Sequence, residues 1–474
     1  MGKIFLLLMA ICLTTSIYAA SQNKELEKYT TAAKQVVKDY NAGNYVDIWK
    51  RCSKKIQEQV KCEDLVNSFK NIKSTYSEIT KIDKTPEITP DCYVFKIHFG
   101  KNNLFMFLSL SNEGKYTELY FLNQIPIRYP KVTNKTTIDE LAKTYISQKV
   151  NAGLAIGIVN KGKESTHFYG VIKKGTDIKP NNNSEFEIGS ITKTFTAIAL
   201  LEMQEQGLLN VNDSIKKFLP KGITTPTYGR KKITLESLVT QTSGLPCLPT
   251  NFAEAEKNPK NPYAAYTVKD LYNFLNNYKL TRAVGAEYEY SNLGFGLLGH
   301  VLALRAGSTY ANVINKKILD KLGMYDTSVT LSADQKKRLA QGYLADGKPA
   351  ENWKLLGSFA GAGALKSTIN DMLKYLKANV IKSDSTLGKA IQESHLVKFH
   401  PKSTGFEQAS GWVVSKVPDR NIIWHNGGTG GYRSFIGFFE GTKTGVVVLS
   451  NSAVSVDELG MKILEKLSMD LSKK

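Results

Sequence analysis

Residues 188–207, IGSITKTFTAIALLEMQEQG, decide how the chain is read. Phe186, Glu187 and Ile188 form a short strand-like run that meets Gly189; Ser190 and Lys193 follow, then an apolar run with Phe195, Ala197, Ile198, Ala199, Leu200 and Leu201. The pattern is strand, tight turn and buried helix, ended by Gly207 as a C-terminal cap. It sets a serine at a helix start, where backbone N–H groups lack intrahelical partners and the helix dipole favours negative charge. Spacing i, i+3 puts Lys193 on the same face as Ser190. A lysine held among apolar side chains gives up its proton more readily. The pair therefore predicts a nucleophile, Ser190, with Lys193 as its proton partner. Ser-x-x-Lys alone also fits a capping serine beside a surface lysine. Ser21 to Lys24 and Ser214 to Lys217 repeat the spacing, but neither lies between a strand and an apolar helix.

Working outward, Gly153–Val159 and Ser165–Tyr169 read as a hairpin before this stretch. After it, Leu208–Leu219 continues on the surface, and helices are expected at Ile233–Val239, Val268–Tyr278, Leu293–Ala303 and Ser367–Ala378. Strands return at Gly411–Val417, Asn421–His425, Phe435–Glu440 and Gly445–Ser450, and Val456–Lys474 closes as an amphipathic helix. Strands thus open and close this region while helices fill its middle. This predicts one α/β domain over 136–474, its sheet completed by both ends of the segment around a mostly helical insertion.

Residues 21–125 differ. Leu26–Tyr45 and Ile48–Phe69 have helical periodicity; Tyr93–Phe99, Leu104–Leu110 and Tyr116–Phe121 read as strands, the last two joined by the turn Asn112-Glu113-Gly114. A small α+β domain follows, tied to the larger one by a linker over 126–135 with Pro126 and Pro130. At the start, Lys3, the apolar run Ile4–Leu13 and the small residues Ala19 and Ala20 read as a secretory signal peptide cleaved after Ala20. The protein is expected to be exported, and no later stretch reads as a membrane helix. Cys12, one of five cysteines, leaves with the leader; Cys52, Cys62, Cys92 and Cys247 allow three pairings or none.

The chain has 474 residues, 42% hydrophobic and 22% charged, enough for sizeable cores. Its net charge of +20 comes from 63 Lys+Arg against 43 Asp+Glu, scattered without a basic stripe or interleaved aromatics, so no nucleic-acid partner is predicted. His395 and His400 fall in a loop-like run and the other histidines are isolated, so neither a metal site nor a cofactor is expected.

Two further elements can carry chemistry. Tyr290-Ser291-Asn292 places a phenol just before a helix that Ser291 or Asn292 caps; beside a lysine a tyrosine's pKa falls, and it can act as general base. The other Tyr-x-Asn, Tyr310 to Asn312, reads as part of a surface helix. Trp424-His425-Asn426-Gly427-Gly428-Thr429-Gly430-Gly431-Tyr432 is a strand running into glycines that admit another backbone or a substrate. Its N–H groups can face a developing oxyanion.

SITK, YSN and HNG in this order resemble the active-site set of the penicillin-recognising serine hydrolases, in the group of class C β-lactamases, D-alanyl-D-alanine carboxypeptidases and family VIII esterases. The resemblance runs from about Thr136 to the C-terminus. It includes LVTQTSGLP at 238–246, YSNLGFGLLGHVL at 290–302, GAGALKSTINDM at 361–372 and HNGGTGGYRSFIGF at 425–438. It implies an antiparallel β-lactamase/transpeptidase-like sheet and an acyl-enzyme mechanism. Ser190 would be the nucleophile, Lys193 its proton partner and Tyr290 the general base. Asn292, His425 and Gly427 would bind substrate, with the N–H groups of Ser190 and Gly428 as oxyanion hole. His425-Asn426-Gly427 stands where lactamases carry Lys-Thr-Gly. A neutral histidine anchors a carboxylate less well than a fixed lysine, which points to an ester, amide or D-amino-acid peptide, including peptidoglycan-derived ones, ahead of a β-lactam. Gln241 stands where a histidine is often seen, within a structural turn. AAKQVVKDYNAGNYVDIWKRCS at 32–53 and the strands after it resemble the small NTF2-like domains found ahead of secreted hydrolases, which implies a binding, spacer or oligomerisation role. The rival class is a non-catalytic module of the same fold that holds peptidoglycan peptides or a protein partner.

Overall fold

A computed structural model of the chain describes residues 24–471 apart from 89–91, 101, 123–126, 149, 256–257, 356 and 403. The signal-peptide reading and Pro126 of the linker reading lie outside the described residues. The chain divides between Pro126 and Ile127 into two compact units.

In the first unit, helices at 24–42, Tyr45–Lys50, Lys54–Gln59 and Cys62–Tyr76 precede an antiparallel sheet. The strands run Lys81–Ile82, Tyr93–Phe99, Asn102–Leu110 and Tyr116–Leu122, and Glu87–Ile88 also pairs with Tyr93–Phe99. Tyr40, Ile48, Phe69, Phe95, Ile97, Met106 and Leu108 share its core. The single helix expected over Ile48–Phe69 is three shorter ones. Tyr116 N donates to Arg51 O at 2.9 Å and Ser53 N to Tyr116 O at 2.8 Å, so backbone groups that would continue the helix serve the sheet edge instead. Ser53 then caps the next helix through Ile56 N.

The second unit is built on an eight-stranded antiparallel sheet. In chain order its strands are β1 (Gly153–Asn160), β2 (Lys163–Gly170), β3 (Val397–Phe399), β4 (Glu407–Ala409), β5 (Val413–Val417), β6 (Arg420–Gly428), β7 (Arg433–Phe439) and β8 (Gly445–Ser450). Their spatial order is β3-β4-β5-β6-β7-β8-β1-β2, so the first hairpin closes against the last strand: Leu154 pairs with Ser450 and Val159 with Gly445. The sheet completed by both ends of the segment is therefore met. β3 falls in the run read as loop-like, and no element was expected at β4. They are three residues each, too short for alternation to show.

Four helices matter here: α1 (Thr192–Glu205), α2 (Asn292–Arg305), α3 (Ile369–Val380) and α4 (Asp457–Leu471). Period-two alternation sorts the strand side chains between two cores. Leu154, Ile156 and Ile158 pack with Phe435, Val446 and Val448 under α4 and the helix Ile138–Ile146. Ala155, Val159, Ile436, Val447 and Leu449 face the insertion, sharing a core with Phe195, Ile198, Leu297, Leu298, Met372 and Leu376. α1 lies inside this second core; its residues Thr192–Met203 are all buried, which explains why the sequence there is apolar all round. Gly207, at φ +67°, receives the chain after α1. The surface reading of Leu208–Leu219 is corrected at Ile215, which is fully buried.

Other differences are local. Ser367 was read as the start of a helix; Lys366–Thr368 is instead a strand paired with Glu185–Glu187, and the helix begins at Ile369 with Thr368 as cap. Tyr310 does not sit on a surface helix. It is buried, and its hydroxyl bonds Thr196 Oγ1 at 2.7 Å. No disulfide joins Cys52, Cys62, Cys92 and Cys247. Among the described residues no helix is long and apolar enough to cross a membrane, and no cluster of three metal-ligating side chains occurs.

Candidate active site

Ser190 stands in a single 3-10 turn, Gly189–Ile191, between the strand Glu185–Glu187 and α1. Gly189 has φ +48°, and a Cβ there would lie 2.6 Å from Gly428 N. At Gly427 a Cβ would lie 2.0 Å from Ile188 O, and Ser434 Oγ donates to that same oxygen at 2.8 Å. The end of β6 therefore presses backbone to backbone on the turn that carries the serine, which only glycines permit. Ser190 and Gly428 line one cavity of 340 Å³.

Lys193 follows one turn later, with no solvent exposure. Its Nζ donates to Ser190 Oγ at 2.9 Å, Asn292 Oδ1 at 2.8 Å and Ala362 O at 2.7 Å. It also lies 4.8 Å from the ring centroid of Tyr290 and 5.8 Å from that of Phe295. Burial disfavours the cation and brings the amine down to about 7.

Tyr290 OH donates to Ser190 Oγ at 2.8 Å, so the serine oxygen receives the lysine and the phenol together. The expectation that Lys193 lowers the Tyr290 pKa is corrected. Burial raises the phenol well above its ordinary value, and the Ser190 hydrogen bond offsets only part of that. The physical reason is that the same burial strips the lysine of the charge that would have lowered its neighbour.

Local sequence sets these positions. Ser291 caps α2 by accepting from Gly294 N at 2.8 Å, and its hydroxyl donates to Pro246 O at 2.7 Å. Asn292, the first residue of α2, thereby faces Lys193, and its Nδ2 donates to Tyr263 OH at 3.3 Å. Gly296 and Gly299 let α2 lie on the 358–361 backbone: Cβ atoms there would meet Ser358 O at 2.2 Å and Gly361 Cα at 2.8 Å. That contact carries Ala362 O to Lys193.

His425, on β6, is 5% exposed. Nδ1 donates to Asn426 O at 2.6 Å, and burial holds the ring neutral, down to about 3. It lines a second cavity, of 180 Å³, with Tyr290, Tyr288, Phe406 and Trp424. Asn426 borders both cavities and donates Nδ2 to Asp457 Oδ2 at 2.7 Å. A further cavity, of 640 Å³, is lined by none of these motif residues.

The structure thus brings Ser190, Lys193, Tyr290 and Asn292 into one hydrogen-bonded cluster, with Gly427 and Gly428 against its turn and His425 beside Tyr290. Ser214 and Lys217 stand apart; Lys217 pairs with Asp213. Sequence reasoning missed three contributors. Ala362 acts through its backbone oxygen, which no side-chain motif reveals. Tyr263 reaches the cluster from a stretch to which the sequence assigns no element. Gln241, read only as part of a turn, holds both neighbours of Tyr290: Ser291 N donates to its Oε1 at 2.8 Å and Glu289 N to its backbone oxygen at 2.8 Å. A usable signal was its place, next to Thr-Ser-Gly in a turn whose backbone it enters at φ +61°.

Fold and cluster together define a serine hydrolase of the β-lactamase type, and the chain belongs to the Beta-lactamase family, which its residues 138–468 match. Among individual proteins it is 32% identical to a Beta-lactamase of Providencia stuartii over 54% of this chain and 64% of that one, so the match spans under two thirds of that relative's length. It is 27% identical to the D-alanyl-D-alanine-carboxypeptidase/endopeptidase AmpH of Escherichia coli K12, over 68% of this chain and 85% of the relative. Of solved structures, the Beta-lactamase/D-alanine Carboxypeptidase from Yersinia pestis complexed with citrate is 25% identical, with a TM-score of 0.62 over 71% of this chain and 97% of that one.

Proposed function

We propose that this protein hydrolyses an ester, amide or D-amino-acid peptide through an acyl-enzyme on Ser190. The observation that carries the reading is the pair of bonds on Ser190 Oγ: Lys193 Nζ at 2.9 Å and Tyr290 OH at 2.8 Å. Near neutral pH the amine, at about 7, is substantially deprotonated. Asn292 Oδ1 and Ala362 O then take its two hydrogens, and its lone pair accepts the Ser190 hydroxyl proton. Lys193 is the base of this step. Tyr290, kept protonated by burial, donates to Oγ and relays a proton to the leaving group, a reversal of the role expected from sequence. As Oγ bonds to the carbonyl carbon, the N–H groups of Ser190 and Gly428 receive the oxyanion. The bond to the leaving group breaks, and water then releases the acyl group by the same steps in reverse.

On substrate, the neutral, buried His425 favours a peptide or ester over a β-lactam. The relatives named as carboxypeptidases support the peptide. Residues 21–125 serve as an NTF2-like module for binding or assembly, and the leader-like start, Lys3 with Ile4–Leu13, supports export.

Covalent labelling with a fluorophosphonate and with penicillin, read by intact mass, tests the mechanism. One adduct on the wild type and none on Ser190→Ala is the expected result. No adduct with either probe would leave a binding module; labelling of Ser190→Ala would move the nucleophile elsewhere. Turnover of a D-Ala-D-Ala peptide or a p-nitrophenyl ester should exceed that of nitrocefin, and strong nitrocefin hydrolysis would overturn the reading of His425.

A further inference from the structure

The cavity shared by Ser190 and Gly428 has two ionisable side chains of opposite sign on its wall. Of the described residues lining it, Arg433 carries the positive charge and Asp457 the negative. Arg433 pairs with Gly428 across β6 and β7, so both point to the same side of the sheet. A Cβ at Gly428 would lie 2.9 Å from Arg433 Nη1: the guanidinium is folded across the glycine. Nη1 donates to Thr429 O at 2.8 Å and Tyr432 O at 2.9 Å, which fixes the group. A guanidinium has more N–H donors than those, in a planar fork, so Nε and Nη2 keep donors for a ligand.

The charge is not spent inside the protein. Among the described residues Arg433 makes no ion pair; Asp457 acts on it through space, and one Asp457 oxygen is held by Asn426 Nδ2 at 2.7 Å. Burial works against the cation. A fixed, partly buried guanidinium with spare donors, on the wall of the cavity that holds the nucleophile, is matched by a planar anion. The strand position that faces Tyr290 cannot supply this charge, because His425 is buried with Nδ1 committed to Asn426 O.

We propose that Arg433 is a specificity-determining residue that binds a carboxylate of the substrate on the Gly428 side of the nucleophile. The proposal rests on Ser190 being that nucleophile. Asp457 opposes the same carboxylate, so the two residues act with opposite sign.

The test uses full-length Ser190→Ala protein, which binds without turnover, and isothermal titration with two ligand pairs. One pair is N-acetyl-D-alanyl-D-alanine and its C-terminal amide; the other is N-succinyl- and N-butyryl-D-alaninamide. The carboxylate member of one pair should bind about tenfold tighter, the scale of one charge-assisted hydrogen bond. Which pair responds tells whether the anion sits on the leaving-group or the acyl side. Arg433→Gln should bring the ratio close to one, Arg433→Lys should keep part of it, and Asp457→Asn should raise it. Arg433→Glu should turn the preference toward N-(4-aminobutyryl)-D-alaninamide, a reversal that a merely structural arginine would not give. No carboxylate preference in either pair, or a preference that survives Arg433→Gln, overturns the proposal. Wild-type labelling is scored separately: a missing adduct counts against the nucleophile, a flat binding ratio against Arg433.

Discussion

Lys193 spends all three hydrogens of its charged form on Ser190, Asn292 and Ala362, yet faces no carboxylate in that set. Three neutral acceptors satisfy its geometry without restoring the charge lost to burial, which is why the amine falls to about 7 from 10.5. Activity should follow its deprotonation. The rate of acylation should rise as pH increases through about 7 and be lost below it. Because the Tyr290 phenol is pushed up, no falling limb should appear below the ordinary tyrosine range of about 10. Stopped-flow labelling across pH 5–10 checks both, and a flat profile would remove Lys193 as the base. Tyr290→Phe deletes one donor to Oγ and should slow acylation by about 10²–10⁴-fold, the usual range for a proton-transfer partner, with little change in substrate binding. Full acylation rate in that variant would take Tyr290 out of the mechanism.

At the scale of elements, the motifs were legible because each sits at the start of a helix or the end of a strand, where local chemistry is loud. Ser291 signals a cap, Gly189 a turn, and the apolar run after Lys193 a buried helix. The partners were silent. Ala362 reaches Lys193 only because α2 is notched by Gly296 and Gly299, and that fit depends on a segment far along the chain. Ser367 was misread because pairing with Phe186 overrides its helical neighbourhood. Gln241 shows the cost of such silence. Gln241→Ala would leave Ser291 N without its partner, a loss of about 1–3 kcal/mol for a buried donor. It should also let Tyr290 drift, since the side-chain half of its clamp is gone. Chemical denaturation should show the first effect and a lower kcat at similar KM the second; a purely thermal defect with normal kcat would make Gln241 only a structural support.

For the whole molecule, the division at Pro126 separates the core around Tyr40, Phe69 and Phe95 from the cores of the second unit, such as that of Phe195, Leu297 and Ile436, with no shared members. The layout of each unit was readable from the order of helical and strand periods. Which strand meets which was not, because register and closure are tertiary facts. Residues 127–474 expressed alone should fold cooperatively and take a fluorophosphonate adduct on Ser190 at a rate within about threefold of the full chain, since every candidate catalytic group lies there. Loss of labelling would make the first unit part of the machinery.

The closure of β1 against β8 has a further meaning in time. Ser450 Oγ donates to Gly153 O across 297 positions, and the turn carrying Ser190 is braced by Gly427 and Ser434. A nascent chain that has emerged as far as α1 already holds the serine and the lysine, but nothing yet presses them together. Contacts this distant in sequence form late, because long loops must close before they are rewarded. Ser190, the proposed nucleophile, would therefore stay unbraced through most of synthesis, and the last strands of the polypeptide would be the step that arms it.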